Sequence, residues 1–359
     1  MPALLTALDA LEVVSRRLHP PDLPALVGGV RDVAAPVREG LEALRAVASP
    51  EESIESWKRL ESAAANVCLA FDGLVEAARD PNGFVHAYRA LRSGTRALEA
   101  LYPLTATSPE VSRFFVEPNL RDNADLAKRI ADADPSRDAV GVTHVNNDRE
   151  SHGGFSMYVP EYYDAGEAYP LIVALHGGSG HGADFLWTWL REARSYGAIL
   201  VAPTSRSRTW SLRHPDVDSQ YIKAIVMDVR RRWNVNGERM LLTGMSDGAT
   251  FALVTGLRAE SPFTHLAPSS ASFHTMPADS SLASRLRGLP VYLMHGELDW
   301  MFPVDFARIA NAALTKAGAS VVFREIGDLS HTYPRDENPK IMDWFLGPTS
   351  RSGPAPRYR

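Results

Sequence analysis

Residues 244–248 read Gly-Met-Ser-Asp-Gly, and this short motif constrains the fold more than any other part of the sequence. An apolar run at 239–243 precedes it, and a helix-like stretch at 249–258 follows it. A serine at such a strand-to-helix turn takes a strained backbone conformation, and glycines two positions away on either side let strand and helix approach closely. The pattern predicts a nucleophile elbow that exposes the Ser246 hydroxyl. The N–H of Asp247, at the positive end of the helix, would then meet a developing oxyanion.

A glycine-rich turn upstream predicts the second half of an oxyanion hole. The apolar run 171–175 has the character of a buried strand and leads directly into His176-Gly177-Gly178-Ser179-Gly180. The N–H of Gly178 is the best candidate for the second donor. An ordinary strand-to-helix turn would have the same composition, but the elbow at the expected distance downstream favours the catalytic interpretation.

A serine nucleophile needs a base, and the base needs a carboxylate that orients it. After the elbow, the strand-like run 290–294 ends in His295-Gly296-Glu297-Leu298-Asp299, which brings carboxylates to the carboxyl end of a strand. We predict Asp299 as the acid, because the aromatic and apolar residues 300–302 that follow it would wall a pocket. Glu297 is the rival, and its alternative interpretation is a solvated loop charge.

The base is predicted from chain order. In an α/β sheet with this elbow, the order is serine, acid, histidine. The next strand candidate is 320–326, and the loop after it carries His331, which is the only one of the eleven histidines that follows Asp299. We therefore expect Ser246, Asp299 and His331 to form a catalytic triad.

Together these motifs resemble an α/β-hydrolase. The resemblance runs from about Gly153 to Leu346 and is closest to compact esterases of the phospholipase/carboxylesterase and polyhydroxybutyrate-depolymerase-like groups. The matching segments are Phe155–Pro160, His176–Gly178, Gly244–Gly248, His295–Asp299 and Ser330-His331. The resemblance implies a Ser-His-Asp mechanism that uses no metal and no cofactor. One departure is Asp247, where related elbows often have Gln or Ala; its carboxylate would cap the helix or meet a cation.

Alternating strand and helix patterns between the motifs predict a mostly parallel sheet covered by helices on both faces. A further strand is expected at 198–202 and a long helix at 216–233. The loop between them contains Arg206, Arg208 and Trp210; the arginines fit a solvated turn better than a substrate contact. The candidate pocket residues are Trp210, Trp300, Met301 and Phe302.

The N-terminal third of the chain lacks strand-like alternation and predicts an all-α domain. Proline-containing breaks such as Pro20-Pro21, Ser49-Pro50 and 80–83 separate its helical stretches. Three apolar stripes recur at helical spacing: Leu4, Leu8, Leu11, Val14 and Leu18; Ile54, Trp57, Leu60, Ala64, Val67, Phe71 and Leu74; Phe84, Tyr88, Leu91, Thr95 and Leu98. We expect a helical domain at 1–135, a catalytic domain at 136–347 and a flexible tail at 348–359. The helical domain would cap the active site, join subunits of a homo-oligomer or bind another protein.

Bulk properties fit a two-part enzyme. The formal net charge is −5, and charges nearly balance in the helical region, so nucleic acid is not an expected partner. The single cysteine, Cys68, excludes an intramolecular disulfide and lies on an apolar helical face. The amino terminus has no basic segment followed by a long apolar run, so we expect a cytoplasmic protein without a membrane span.

The sequence thus predicts a serine esterase that acts on a small-molecule or lipid-like acyl ester through an acyl-enzyme intermediate. Thioester or lysophospholipid hydrolysis by the same triad is the alternative. A hydrolase scaffold that serves only in binding is a further alternative, against which the complete triad argues.

Overall fold

The computed structural model describes residues 1–47, 53–134, 137–272 and 284–347 of the chain. Three predicted features lie outside the described residues, wholly or in part. They are the tail at 348–359, the helix break at Ser49-Pro50 and the middle of the expected domain boundary at Pro135-Ser136.

Contacts divide the chain into two compact units. The helical unit comprises Met1–Phe115 together with the short segment Asp328–Thr332. Among the described residues, those at 116–327 and at 333–347 form the sheet unit. The segment that carries His331 therefore belongs to the helical unit, although it follows the last strand of the sheet in sequence.

The helical unit is built from α1 (Pro2–Arg17), α2 (Leu23–Val30), α3 (Ala35–Ala46), α4 (Ile54–Ala77), α5 (Phe84–Leu101) and α6 (Pro109–Phe114). Proline lies in the first turn of α1, α2, α3 and α6, where the missing N–H has no intrahelical acceptor to lose. The first predicted stripe is buried throughout, from Leu4 to Leu18. The predicted N-terminal helical region is confirmed.

Helices α4 and α5 form the most extensive helix pair of this unit. Gly73 and Ala90 meet so closely that a Cβ on the glycine would lie 2.8 Å from the alanine Cβ. The buried face of α5 consists of Ala87, Ala90, Gly94, Ala97 and Leu101, whereas the predicted stripe of larger residues is only half-buried. The prediction for α5 was therefore displaced, because close packing of two helices selects small residues and hydrophobicity alone points to large ones.

The sheet unit contains eight strands: β1 (Gly141–Val145), β2 (Phe155–Val159), β3 (Tyr169–Leu175), β4 (Ile199–Pro203), β5 (Val235–Met245), β6 (His265–Ser269), β7 (Pro290–Gly296) and β8 (Ser320–Ile326). They form one sheet in the order β1-β2-β4-β3-β5-β6-β7-β8. β2 is antiparallel to both of its neighbours, and the pairs from β4 to β8 are parallel. The described part of the chain thus has the mostly parallel sheet that the sequence predicts.

The helices of this unit are α7 (Ala124–Ala131), α8 (Gly182–Phe185), α9 (Leu190–Tyr196), α10 (Asp216–Arg232), α11 (Asp247–Gly256), α12 (Asp305–Lys316) and α13 (Asn338–Leu346). Central strand residues of β3, β4 and β5 are fully buried, as expected for strands covered on both faces. β8 has its predicted bounds, while β5 begins at Val235, four residues before the predicted start. The α/β-hydrolase fold predicted from the sequence is confirmed.

Candidate active site

Ser246 lies at a sharp turn between the end of β5 and the start of α11. Its φ of 55° and ψ of −120° place it in a region that L-residues seldom adopt, and its N–H donates to the carbonyl of Ser269 at 3.0 Å. At both flanking positions only glycine fits, because a side chain would collide with the backbone. A Cβ would approach a backbone atom within 2.7 Å at Gly244 and within 2.4 Å at Gly248. The described geometry is that of a nucleophile elbow.

The first turn of α11 offers N–H groups to an anion. Ser246 is the N-cap residue, and its carbonyl accepts the first helical bond, from the N–H of Thr250 at 2.9 Å. No side chain caps this helix end. The N–H groups of the first turn, including that of Asp247, therefore have no intrahelical acceptor, and the helix dipole adds positive potential there.

The glycine-rich loop after β3 packs against the elbow. A Cβ on Gly177 would lie 3.6 Å from the Cβ of Ser246, and a Cβ on Gly178 would lie 2.8 Å from Oδ2 of Asp247. Ser179, with φ of 55°, donates its N–H to the carbonyl of Arg208 at 3.0 Å. The structure thus brings Gly178, Ser246 and Asp247 together, as two oxyanion donors and a nucleophile require.

The side chain of Asp247 connects the elbow to the loop after β4. Oδ2 accepts a hydrogen bond from the Thr209 hydroxyl at 2.6 Å. The sequence predicts a helix cap or a contact with a cation for this carboxylate. The contact that the structure shows is with a neutral hydroxyl, which holds the carboxylate against the loop of Gly178.

His176 has a structural role beside this site. Its Nε2 accepts from the N–H of Ser205 at 3.1 Å, so the proton must be on Nδ1, which lies 2.7 Å from the carbonyl of Gly177. The carbonyl of His176 accepts from Trp210 Nε1 at 2.8 Å. Trp210 is buried and stacks on Phe251, with ring centroids 5.5 Å apart. These contacts give Trp210 a place in the core, and its predicted role as a pocket residue stays a prediction.

Asp299 lies in the loop after β7 and is held by backbone donors. Its Oδ1 accepts from the N–H groups of Met301 at 3.0 Å and Phe302 at 2.8 Å. Its Oδ2 lies 3.4 Å from Nε2 of His295, a fully buried ring whose Nε2 donates to the carbonyl of Phe302 at 2.8 Å. The carboxylate is therefore buried and fixed in orientation. The rival acid, Glu297, is exposed.

His331 is buried, and its neighbours hold the segment 328–332 to the helical unit. Tyr88 donates its hydroxyl to the backbone carbonyl of His331 at 2.5 Å. Arg16 donates to Oδ1 of Asp328 at 2.9 Å, and this hydrogen bond lowers the pKa of that carboxyl. Thr332 donates its hydroxyl to the carbonyl of Arg16 at 3.0 Å. The predicted base thus has its backbone fixed by two helices of the helical unit.

The remaining predicted site residues differ in exposure. Trp300 is 49% exposed and Met301 is 45% exposed, whereas Phe302 is partly buried. Arg206 and Arg208 are exposed, in agreement with the solvated-turn interpretation.

Three residues that the sequence did not single out contact predicted site residues: Thr209 contacts Asp247, His295 contacts Asp299 and Tyr88 contacts His331. Thr209 lies in the loop in which the sequence singles out Arg206, Arg208 and Trp210, and His295 begins the segment that leads to the predicted acid. Helical spacing places Tyr88 in an apolar stripe, but it does not predict the hydrogen-bond partner of the Tyr88 hydroxyl. The local sequence signal for His295 is a histidine at the end of an apolar run, four residues before the predicted acid.

Among the described residues, no group of three or more His, Cys, Asp or Glu side chains could hold a metal ion. Over the same ranges, no helix combines the length and the apolar character that crossing a membrane requires. Cys68 is buried, which raises the pKa of its thiol.

Comparison with known proteins supports the same fold. Residues 213–345, which include the elbow, α11, β7, Asp299 and β8, match the model of the phospholipase/carboxylesterase family. This part of the chain has the α/β-hydrolase fold and is similar to that family. The family match confirms the resemblance drawn from the sequence motifs. The elbow follows β5 and the predicted acid follows β7, two parallel strands of one sheet with β6 between them.

The individual proteins to which the chain is similar are distant from it in sequence. The bifunctional acetylxylan esterase/xylanase XynS20E of Neocallimastix patriciarum is 20% identical over 207 residues, which is 56% of this chain and 30% of the relative. The chain thus spans less than a third of that protein. A thermostable esterase structure is 20% identical, with a TM-score of 0.46 over 57% of this chain and 61% of its own. An acetyl xylan esterase from Aspergillus awamori is 17% identical, with a TM-score of 0.46 over 57% and 99%.

Proposed function

We propose that this chain is a serine carboxylic-ester hydrolase with Ser246 as its nucleophile. The observation that carries the proposal is the strained φ of Ser246 between two glycines that cannot accept a Cβ. Such strain persists only where the surrounding structure enforces it, and it is typical of functional sites. The match of residues 213–345 to phospholipases and carboxylesterases supports acyl transfer as the reaction class.

The proposed mechanism proceeds in two acyl-transfer steps. Ser246 Oγ attacks the acyl carbonyl carbon while His331 takes the hydroxyl proton, and Asp299 orients the imidazole and favours the imidazolium. The N–H groups of Gly178 and Asp247 stabilise the tetrahedral oxyanion. Collapse breaks the ester C–O bond, and His331 gives its proton to the leaving alcohol. Water then attacks the acyl-enzyme, His331 takes a proton from it, and the second collapse returns that proton to Ser246 Oγ and releases the carboxylic acid.

Several contacts support these roles. The open first turn of α11 and the close approach of Gly178 to Asp247 suit an oxyanion hole. Asp299 is buried and its carboxylate is fixed by two backbone N–H groups, whereas Glu297 is exposed. The order Ser246, Asp299, His331 is the order of triads built on this fold. A fixed carboxylate holds the base in one tautomer and orientation, which is the requirement for general-base catalysis.

Acyl transfer to a serine requires a substrate with an activated acyl group. We propose a small-molecule or lipid-like carboxylic ester. Acetyl esters belong among the first substrates to be measured, because the relative in Neocallimastix patriciarum is described as an acetylxylan esterase. Thioesters and lysophospholipids are the alternative substrates for the same triad. A homo-oligomer formed through the N-terminal helices stays a prediction.

The test compares Ser246→Ala with wild-type protein on p-nitrophenyl acetate and butyrate, a thioester and a lysophospholipid. Labelling by a fluorophosphonate, with the modified peptide located by mass spectrometry, identifies the nucleophile directly. Ser207→Ala is the matched control, because Ser207 is an exposed serine in the loop after β4.

We expect wild type and Ser207→Ala to hydrolyse the oxygen esters and to be labelled on Ser246. Ser246→Ala should lose both properties, with a rate loss of about 10⁴-fold or more. Labelling at a different serine would refute the proposed nucleophile. A wild-type protein that neither turns over any of these substrates nor takes the label would favour the binding-scaffold alternative.

A further inference from the structure

The helical unit contains one segment from the far end of the chain. Asp328–Thr332 clusters with Met1–Phe115, whereas the residues directly before and after this segment belong to the sheet unit. The segment contains His331, the base of the proposed function, on which this inference rests. These five residues thus belong to a different unit from the residues on either side of them, and they form hydrogen bonds with helices more than 200 positions away in sequence.

Hydrogen bonds from the helical unit hold this segment before, at and after His331. The Arg16 guanidinium bonds Oδ1 of Asp328, the Tyr88 hydroxyl bonds the carbonyl of His331, and the Thr332 hydroxyl bonds the carbonyl of Arg16. Arg16 lies at the end of α1, and Tyr88 lies in α5. Bonds from two helices resist both translation and rotation of the segment, which a single bond would not do.

The Tyr88 contact is built to be rigid. The Tyr88 ring packs edge-on against Phe84, one helical turn away, with centroids 4.8 Å apart. Its hydroxyl is a donor to a carbonyl oxygen at 2.5 Å, and the bond is partly buried. A carbonyl with a fixed partner fixes its peptide plane, and the peptide plane sets the direction in which the side chain of the same residue leaves the backbone.

We propose that Tyr88 is a positioning residue for the proposed base, His331, whose backbone carbonyl its hydroxyl binds. Proton transfer depends steeply on the placement of the base, and a displacement of about 1 Å can cost about 10²-fold in rate. Loss of the Tyr88 hydroxyl should therefore lower the rate of the chemical step. It should leave substrate binding nearly unchanged, because Tyr88 acts on the backbone of His331 and has no proposed contact with substrate.

The experiment uses the full-length protein and measures kcat and KM separately, together with the rate of fluorophosphonate labelling and the melting temperature. Tyr88→Phe removes only the hydroxyl. Tyr102→Phe is the control, since Tyr102 is a buried tyrosine of the same unit that packs on Phe115. We expect Tyr88→Phe to lower kcat and the labelling rate by about 10-fold or more with KM changed less than about 3-fold. Tyr102→Phe should retain wild-type kcat.

A second pair of variants tests the same segment from its other side. Thr332→Val keeps the shape of the side chain but loses the donor to the Arg16 carbonyl, whereas Thr332→Ser keeps the donor. We expect Thr332→Val to lower kcat and Thr332→Ser to restore most of it. If Tyr88→Phe does not fold, this pair of variants tests whether the hydrogen bonds of the segment position His331.

The outcomes separate this inference from the proposed function. An inactive wild-type protein that does not label would overturn the proposed function itself. An active wild type with unchanged kcat in Tyr88→Phe, or with Thr332→Val equal to Thr332→Ser when Tyr88→Phe does not fold, would overturn the positioning role while leaving the nucleophile in place. A fall of kcat only in proportion to a fall in melting temperature, shared by Tyr102→Phe, would also overturn it.

Discussion

Gly178→Ala is the substitution that most sharply tests the proposed oxyanion hole. The backbone of Gly178 lies outside the region of positive φ, so alanine can adopt its conformation. Space is the obstacle, because the new Cβ would lie 2.8 Å from Oδ2 of Asp247. Either the carboxylate leaves its hydrogen bond with Thr209, or the loop that carries the Gly178 N–H moves away from the elbow.

The expected loss in kcat is that of one oxyanion-hole donor, the Gly178 N–H. Movement of the loop takes the Gly178 N–H out of hydrogen-bond range of the oxyanion, and loss of one such donor costs about 10²–10³ in kcat, or roughly 3–4 kcal/mol of transition-state stabilisation. KM should change little, because the N–H bonds most strongly to the charge that develops in the transition state.

The neighbouring glycine supplies a matched control. A Cβ on Gly177 would meet its nearest atoms at 3.6 Å, which is ordinary van der Waals contact, and its φ is also outside the positive region. Gly177→Ala should therefore keep kcat within about 3-fold of wild type. Combining Gly178→Ala with Asp247→Ala removes the obstructing carboxylate but keeps both N–H donors, so the double variant should recover at least about 10-fold of the lost kcat.

The assay is steady-state hydrolysis of p-nitrophenyl acetate by the four proteins, with circular dichroism spectra to verify folding. Wild-type kcat in Gly178→Ala would show that the Asp247 carboxylate moves and the loop does not, which would refute the predicted loop displacement. An equal loss in Gly177→Ala, or no recovery in the double variant, would refute the steric reasoning.

Two further predictions concern carboxylates. Asp299→Asn should lower kcat by about 10³ or more, because an amide stabilises the wrong histidine tautomer, while Glu297→Gln should have a minor effect; the reverse result in ester hydrolysis would reassign the acid. Burial alone would raise the pKa of Glu337, but hydrogen bonds from Arg324 and Lys340 lower it to about 2. Its ionised form therefore stabilises the fold at pH values above its unfolded pKa, and this contribution is lost as the pH falls from about 4.5 toward 2. Glu337→Gln should lower the free energy of unfolding, measured in urea at pH 7, by about 1–2 kcal/mol, because solvent around the partly exposed Arg324 and Lys340 screens the interaction. A loss of stability that does not shrink below pH 4.5 would contradict this assignment.

Motifs of consecutive residues were predictable from the sequence. The elbow at Ser246, the strand before it, the glycine-rich turn at Gly178 and the strand before Asp299 each occupy a short stretch of chain. Their backbone requirements are written in adjacent residue types, namely apolar runs for buried strands and glycines where a Cβ would collide. The α/β-hydrolase fold followed from these motifs because such strands are most stable side by side under a cover of helices.

The buried face of α5 shows where sequence periodicity is insufficient. Hydrophobic spacing located a helix correctly but favoured its large residues as the core face. The structure places small residues there, because α4 approaches closely at Gly73 and Ala90. Which face of a helix is buried depends on the shape of its partner as well as on its own pattern.

The sequence by itself determined the elements, the elbow and the chain order of the proposed triad, since each is a local or ordered property of the chain. Only the tertiary structure decided that Thr209 bonds Asp247, that backbone N–H groups fix Asp299, and that Tyr88 holds the carbonyl of His331 from 243 positions away. A hydrogen bond between residues so distant in sequence leaves no periodic or compositional signal. It arises because packing brings a donor and an acceptor to within about 3 Å, and that proximity is a property of the whole fold.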